Sequence, residues 1–373
     1  MDKKIVLYSL QTFSSTGGIQ KMTRTLAHSL YIVAQNNNRL FEFWSAYDSE
    51  SELMTKYLPT KNFRGFGVQR LNFVIEAMKN AKQQDIIILS HVNLAIIGLL
   101  IKFINPKCKV WLIAHGIEIW RPLPFLKRSL LKHCNKIISV SNFTQKKLID
   151  CHKIKPEILT VLNNAVDPFL KLPASFAKPA YLLQRYNLSV DNPVIFTLTR
   201  LSSYEQYKGH DQVIKTISRL KKNYPTIKYV LSGKPDLEET TRLEKLICKY
   251  DVAEQVILTG FVKEEELVDH FLLANLFVLP SKKEGFGIVF IEALACGVPV
   301  ICGNADGSID AICNGDLGTA INVDDLDELE KAISFELSNQ LPEIERQNIQ
   351  KQCLAHFDEV QYIKKWENLI LNG

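Results

Sequence analysis

The sequence predicts an α/β protein built from two doubly wound parallel-sheet domains. Short apolar runs alternate with amphipathic stretches, which is the signature of repeated βαβ units. The alternation lapses between Pro168 and Asn192, where Pro168, Pro173 and Pro179 fall together, and then resumes. A length of 373 residues suits two domains of roughly 150–200 residues each.

In the first half the strand candidates are Lys4–Leu10, Leu40–Trp44, Asp85–Ser90, Lys109–Ala114, Lys136–Val140 and Leu159–Leu162. Each leads through a loop into a helical pattern, such as Ile19–Tyr31 or Asn142–Cys151. In the second half the candidates are Val194–Leu198, Ile227–Ser232, Gln255–Thr259, Leu276–Pro280 and Pro299–Cys302. The expected organisation is a first domain at 1–168, a linker at 169–192 with a short helix around Ala180–Tyr186, and a second domain at 193–351. The closing stretch Glu343–Leu371 reads as helical, with Phe357, Tyr362, Trp366 and Leu369 as packing residues, and its part from 352 to 373 is expected to cross back to the first domain.

Apolar residues make up 46% and charged residues 23%, which excludes a disordered or fibrous class. The eight cysteines show no C-x-x-C pairing and no rhythm with histidine, so neither a zinc site nor a disulfide framework is expected. Met1-Asp2-Lys3-Lys4 runs straight into Ile5–Leu10, leaving no room for the long apolar region of a secretory signal. The expected location is therefore cytoplasmic. The longest apolar run, Leu94–Ile104, falls short of the roughly 20 residues a spanning helix needs and reads as a buried helix. Net charge is +5 but unevenly held. Residues 1–178 carry 25 Lys and Arg against 11 Asp and Glu, and residues 179–373 carry 20 against 29. A basic half suits an anionic membrane surface, a nucleic acid or a phosphorylated substrate, or is simply a solvated surface. Within it, Arg121–Lys136 interleaves Leu123, Phe125, Leu126, Leu130 and Leu131 with Lys127, Arg128, Lys132 and Lys136. Such a helix either lies in an anionic interface or turns its leucines to the core.

The most informative stretch is Leu276–Cys302. A strand ends at Pro280-Ser281, a glycine-rich turn comes next at Glu284-Gly285-Phe286-Gly287, and a helix from Ile288 stops before Gly297 and Pro299. The N–H groups of Gly287, Ile288 and Val289 and the helix dipole would face a phosphate, a field worth about 0.3–1 kcal/mol near the surface. Glu284 stands at the loop mouth, and Glu292 one turn inside the helix on the Ile288 face. An ordinary βα turn with a capping glutamate is the plainer alternative.

The frame E-G-F-G-x-x-x-x-E-A-x-A-x-G-x-P-V, from Glu284 through Glu292, resembles the glutamate pair of glycosyltransferase family 4. Gly17-Gly18, Ala114-His115-Gly116, Ser139-Val140-Ser141 and Asn164–Asp167 agree with it, as do Arg200, Tyr207-Lys208-Gly209-His210, Ser232-Gly233 and Thr259-Gly260-Phe261-Val262. The resemblance implies a GT-B fold: two Rossmann-like domains facing each other across a cleft that holds a nucleoside-diphosphate sugar, UDP- or GDP-linked. It implies a retaining, metal-free hexosyltransferase with no cofactor beyond that donor. Its acceptor would be a glycan or a lipid-linked molecule, as in cell-surface polysaccharide or glycolipid assembly.

By the same resemblance Arg200 and Lys208 would neutralise the diphosphate, although Leu201–Tyr207 separates them by more than the commonest family pattern does. Glu284 would hold sugar hydroxyls, and Glu292 the ribose hydroxyls. Phe261 and Val262 would meet the base. Gly17, Gly18 and Gly233 would let backbone approach the ligand, and His115 would hydrogen-bond a sugar hydroxyl or phosphate. Each has a plainer alternative: a turn glycine pair at 17–18, a packed strand-end histidine, a solvated lysine, an ion-paired arginine. Asp325-Leu326-Asp327 spells the D-x-D metal signature of another glycosyltransferase fold, but it opens a helical stretch where acidic residues serve as caps. A sugar-nucleotide epimerase, a phosphorylase and an inactive sugar-nucleotide or membrane-binding module are the rival readings. An epimerase would consume the donor with no acceptor, and a phosphorylase would show a pyridoxal absorbance.

Overall fold

The computed structural model describes residues 3–339 and 341–372. The chain forms two compact units, the first from residues up to Phe169 together with Phe357 onward, the second from Leu170–His356. Most of the expected linker is therefore part of the second unit, where Arg346 Nη1 donates to the Phe176 carbonyl and Arg185 pairs with Glu266.

The first unit carries a seven-stranded sheet of β1 (Lys4–Ser9), β2 (Leu40–Ser45), β3 (Phe63–Gly65), β4 (Ile86–Leu89), β5 (Lys109–Ala114), β6 (Lys136–Ser139) and β7 (Leu159–Val161). Their order is β3-β2-β1-β4-β5-β6-β7 and all pairs are parallel. Strands covered on both faces need near-continuous apolar runs, and all of β1 and β4 is buried. The second unit has a six-stranded sheet of β8 (Val194–Leu198), β9 (Lys228–Ser232), β10 (Val256–Gly260), β11 (Leu276–Leu279), β12 (Val300–Gly303) and β13 (Thr319–Ile321). Its order is β10-β9-β8-β11-β12-β13, again wholly parallel. Three strands are only three residues long and each closes an edge of its sheet; of these β7 is among the strand candidates of the sequence, and β3 and β13 are not.

Three helical stretches differ from expectation. The run at 94–104 forms a helix over Ala95–Ile104, but it is only half-buried: Ile96 and Phe103 are 52% and 85% exposed. The closing stretch is two helices, Glu343–Phe357 and Glu359–Asn372. The second belongs to the first unit, where Trp366 stacks on Trp111 at 6.4 Å and Glu359 accepts from Ser29 Oγ at 2.9 Å. Ile370, not Leu369, fills its last core position. The helix expected within 121–136 runs from Phe125 to His133, and the segment divides its apolar residues. Leu123, Leu130 and Leu131 are buried, while Phe125 and Leu126 are exposed.

Candidate active site

In a doubly wound sheet, ligands bind at the carboxyl edge where the strand order reverses. In the second unit that reversal lies between β8 and β11. The loop after β8 carries Arg200 and Lys208, the loop after β11 carries Glu284, and the two meet: Lys208 Nζ donates to Glu284 Oε1 at 2.5 Å. Both side chains are largely buried, 12% and 15% exposed. Burial works against the Lys208 charge, but the adjacent Glu284 carboxylate more than offsets it, with Glu205 adding, so its pKa is raised.

The local sequence explains the fit. Gly209 sits at φ 83°, and a Cβ there would come within 2.1 Å of the Pro280 carbonyl oxygen, so only glycine lets the two loops touch. Tyr207 O accepts from the Lys282 N–H at 2.9 Å. His210, fully buried, lies 2.9 Å from Glu239 through Nε2, and Arg242 grips Asp211 with two bonds of 2.6 and 2.7 Å. The Lys208 loop is thus tied down on both sides.

Arg200 behaves differently. It is 67% exposed and pairs with Glu205 at 2.8 Å, inside the 201–207 insertion. Helix Ile288–Ala295 begins at Gly287, which supplies no side-chain cap to its first N–H groups. Ile288 and Val289 occupy its first turn and Glu292 is buried on it, 3% exposed. Gly233 comes after β9 and donates to the Gly260 carbonyl at 2.9 Å. Phe261, 56% exposed, and Val262 come after β10. All these second-domain candidates therefore line one sheet edge.

The other candidates lie in the first unit, whose strand order reverses between β1 and β4. Gly17 and Gly18 start the helix Gly18–Asn36 after β1. His115 comes directly after β5, and its Nε2 is 2.8 Å from the Ser90 carbonyl after β4. A carbonyl only accepts, so Nε2 carries the hydrogen. Burial pulls the imidazole's pKa down to about 4, so at neutral pH the ring is uncharged and Nδ1 offers a lone pair. The His115 N–H donates to Glu118 at 2.6 Å.

Asp325 accepts from the N–H groups of Asp327 and Glu328, both at 3.0 Å, as the cap of helix Leu326–Ser338. Three carboxylates escape a reading of the sequence. Glu205 pairs with Arg200 across five residues, a spacing visible along the insertion. Asp48 and Asp306 reach their partners 34 and 22 residues away in sequence, and nothing local announces them.

Comparison with known proteins agrees with this geometry. Residues 17–169 match the family Glycosyltransferase Family 4, and residues 183–353 match Glycosyl transferases group 1. The GDP-mannose-dependent alpha-(1-6)-phosphatidylinositol monomannoside mannosyltransferase of Mycolicibacterium smegmatis is 31% identical over 231 residues, 59% of this chain and 58% of that protein. The D-inositol 3-phosphate glycosyltransferase of Acidothermus cellulolyticus is 26% identical over 184 residues, 48% of this chain and 40% of its own length. The chain thus spans less than two thirds of either relative. Anabaena HepE, solved with UDP and glucose, matches the fold with a TM-score of 0.78 at 18% identity over 100% of both chains. Two parallel Rossmann-like sheets, the family matches to both domains and the motifs from Gly17 to Glu292 together make this chain a member of the GT-B glycosyltransferases of family 4.

Proposed function

We propose that the chain is a retaining, metal-independent glycosyltransferase that moves a hexose-type sugar from a nucleoside-diphosphate sugar to a glycan or lipid-linked acceptor. The observation that carries this reading is the Lys208–Glu284 pair at the β8/β11 reversal, beside a helix start with no side-chain cap. As the sugar–phosphate bond breaks, negative charge grows on the departing oxygen. A preorganised buried cation and the helix N-terminus answer that charge without reorganisation. Arg200, released from Glu205, adds a second cation. Glu284 holds the sugar, Glu292 the ribose, and the neutral His115 accepts from a substrate hydroxyl. The mannosyltransferase and HepE support different bases, guanine and uracil, by what they are named with.

A thermal-shift panel of UDP, GDP and their sugars, run in excess EDTA, tests the reading. A ligand at 100 times its Kd stabilises the native state by about 2.7 kcal/mol. The expected result is a melting-point rise with one nucleotide series, much reduced in Lys208→Ala. No rise with any of them in EDTA, restored by magnesium or manganese, would overturn the metal-free site.

A second reading concerns the acceptor's location. Helices Arg70–Asn80, Ala95–Ile104 and Phe125–His133 pack side by side. They expose Leu71, Ile75, Met78, Ile96, Phe103 and Phe125. Among cations such as Arg70, Lys79 and Arg128, their single acid is Glu76, itself paired with Arg64 and Lys79. Apolar side chains in a cationic fringe suit an anionic lipid surface, each cation adding about 1 kcal/mol close to it. Among the described residues no helix is long and apolar enough to cross a membrane. Sedimentation with anionic and neutral vesicles decides: salt-sensitive binding to the anionic ones, lost in Lys127→Ser/Arg128→Ser/Lys132→Ser, is expected, and no binding at low salt discards the idea.

A further inference from the structure

We propose that Asp306 is a positioning residue whose carboxylate fixes the backbone of Glu284, and through it the side chain that faces Lys208. The inference rests on the reading of Glu284 as the group that meets the donor sugar.

Asp306 lies in the loop after β12 and is 2% exposed. Its Oδ2 accepts from the Glu284 N–H at 2.6 Å, and its Oδ1 from the Ser308 N–H at 2.9 Å. The adjoining Gly307 N–H donates back to the Glu284 carbonyl at 2.8 Å. Both polar groups of the Glu284 main chain are thus held by two consecutive residues of the neighbouring loop. The loops approach closely enough that a Cβ on Gly303 would lie 2.1 Å from the Ser281 carbonyl oxygen. With its main chain clamped, the Glu284 side chain starts from a fixed point, and from there its Oε1 meets Lys208 Nζ at 2.5 Å.

The chemistry calls for a carboxylate. Two N–H donors converge on two oxygens, and an asparagine has one oxygen and one NH₂, so either rotamer sets a donor against a donor. The charge is unfavourable where it stands: burial pushes the carboxyl up to about 7, and the like charge of Glu284 adds to the shift. A loop needing only to be folded has no use for a buried carboxylate beside another acid. Holding Glu284 in one position accounts for both the residue type and its place.

The test is a double-mutant cycle on the whole chain with Asp306→Asn and Glu284→Gln. It uses the nucleoside diphosphate and sugar nucleotide that stabilise the wild type, and reads their Kd by calorimetry and the slow release of sugar from the donor. Asp306→Asn is expected to leave the diphosphate Kd within about twofold, weaken sugar-nucleotide binding, and slow sugar release by about tenfold. In the Glu284→Gln background the same substitution should change release by less than about twofold, because the two residues act as one unit. Equal effects in both backgrounds, or diphosphate binding lost together with sugar binding, would show Asp306 to be merely structural. If Glu284→Gln alone changes nothing, the sugar-site reading falls and the positioning role falls with it. Asp306→Ser, which also keeps one acceptor, carries the same cycle if the asparagine variant does not fold.

Discussion

The two domains repeat one architecture and differ at their carboxyl edges. In the first, Asp48 after β2 is fully buried and accepts from the N–H groups of Thr12, Phe13 and Ser14 at 2.7, 3.1 and 2.9 Å and from the hydroxyls of Ser14 and Ser45 at 2.5 and 2.6 Å. Five donors around one carboxylate hold the loop that leads to Gly17. In the second, Asp306 does a similar task with two N–H donors, next to a second acid. The first edge presents a neutral histidine, the second a lysine and an arginine already engaged by carboxylates. The same fold thus carries different side chains at its two carboxyl edges by changing only the loops at the strand ends.

The largest effect that sharpens this division is on turnover. Lys208→Ala should slow sugar transfer on the order of 10²–10³, as removal of a preorganised donor at a leaving group does. His115→Ala should slow it by only about tenfold, the worth of one neutral hydrogen bond. Steady-state rates of both variants, with folding verified, check it, and similar losses in the two would erase the distinction. Next comes stability. Asp48→Ala leaves three main-chain donors unsatisfied and should destabilise by about 3 kcal/mol or more, whereas Asp306→Ala leaves two and relieves a buried charge, so its loss should be smaller. Urea unfolding of the two variants ranks them, and the reverse order would break the comparison.

The smallest effect is a pH response of opposite sign in the two edges. Burial holds His91 and His115 at about 4, below the roughly 6.5 of an unfolded histidine. Between those values the unfolded chain binds protons the native first domain does not, so that domain loses stability as pH falls through the window. Asp306 keeps its proton in the native state up to about 7, but in the unfolded chain only to about 3.9. Its contribution therefore grows as pH falls from about 7 to 4. His270, lowered by burial, offsets part of this in the second domain. Hydrogen exchange, corrected for intrinsic rates, should show residues 89–91 and 114–118 loosening in mild acid while 284 and 306–308 tighten. Parallel changes in both segments would contradict it.

The longer strands are legible in the sequence because a buried parallel strand must be apolar throughout, and Val194–Leu198 or Lys109–Ala114 declare themselves. Phe63–Gly65 and Thr319–Ile321 do not, since each is three residues with only one or two apolar side chains, whereas Leu159–Val161, equally short and also at an edge, lies in the largely apolar run Ile158–Leu162. The Glu284–Glu292 turn is readable because its parts are neighbours in sequence. Asp48 and Asp306 are not, because their meaning lies in donors brought from other loops. The run at 95–104 reads as a buried helix and is only half one, because composition alone does not say which face of an apolar helix meets the sheet.

The return of Glu359–Asn372 to the first domain has a consequence during synthesis. Trp366 covers Trp111, and the Val166 N–H donates to the Phe357 carbonyl at 2.8 Å, so the first domain is finished only after the entire second domain has been made. At translation rates of about 5–20 residues per second that wait is roughly 10–40 s. The domain that is begun first is thus the last to be completed. The inserted domain can close while the leading one still shows an open apolar face to the ribosome and its attendant chaperones.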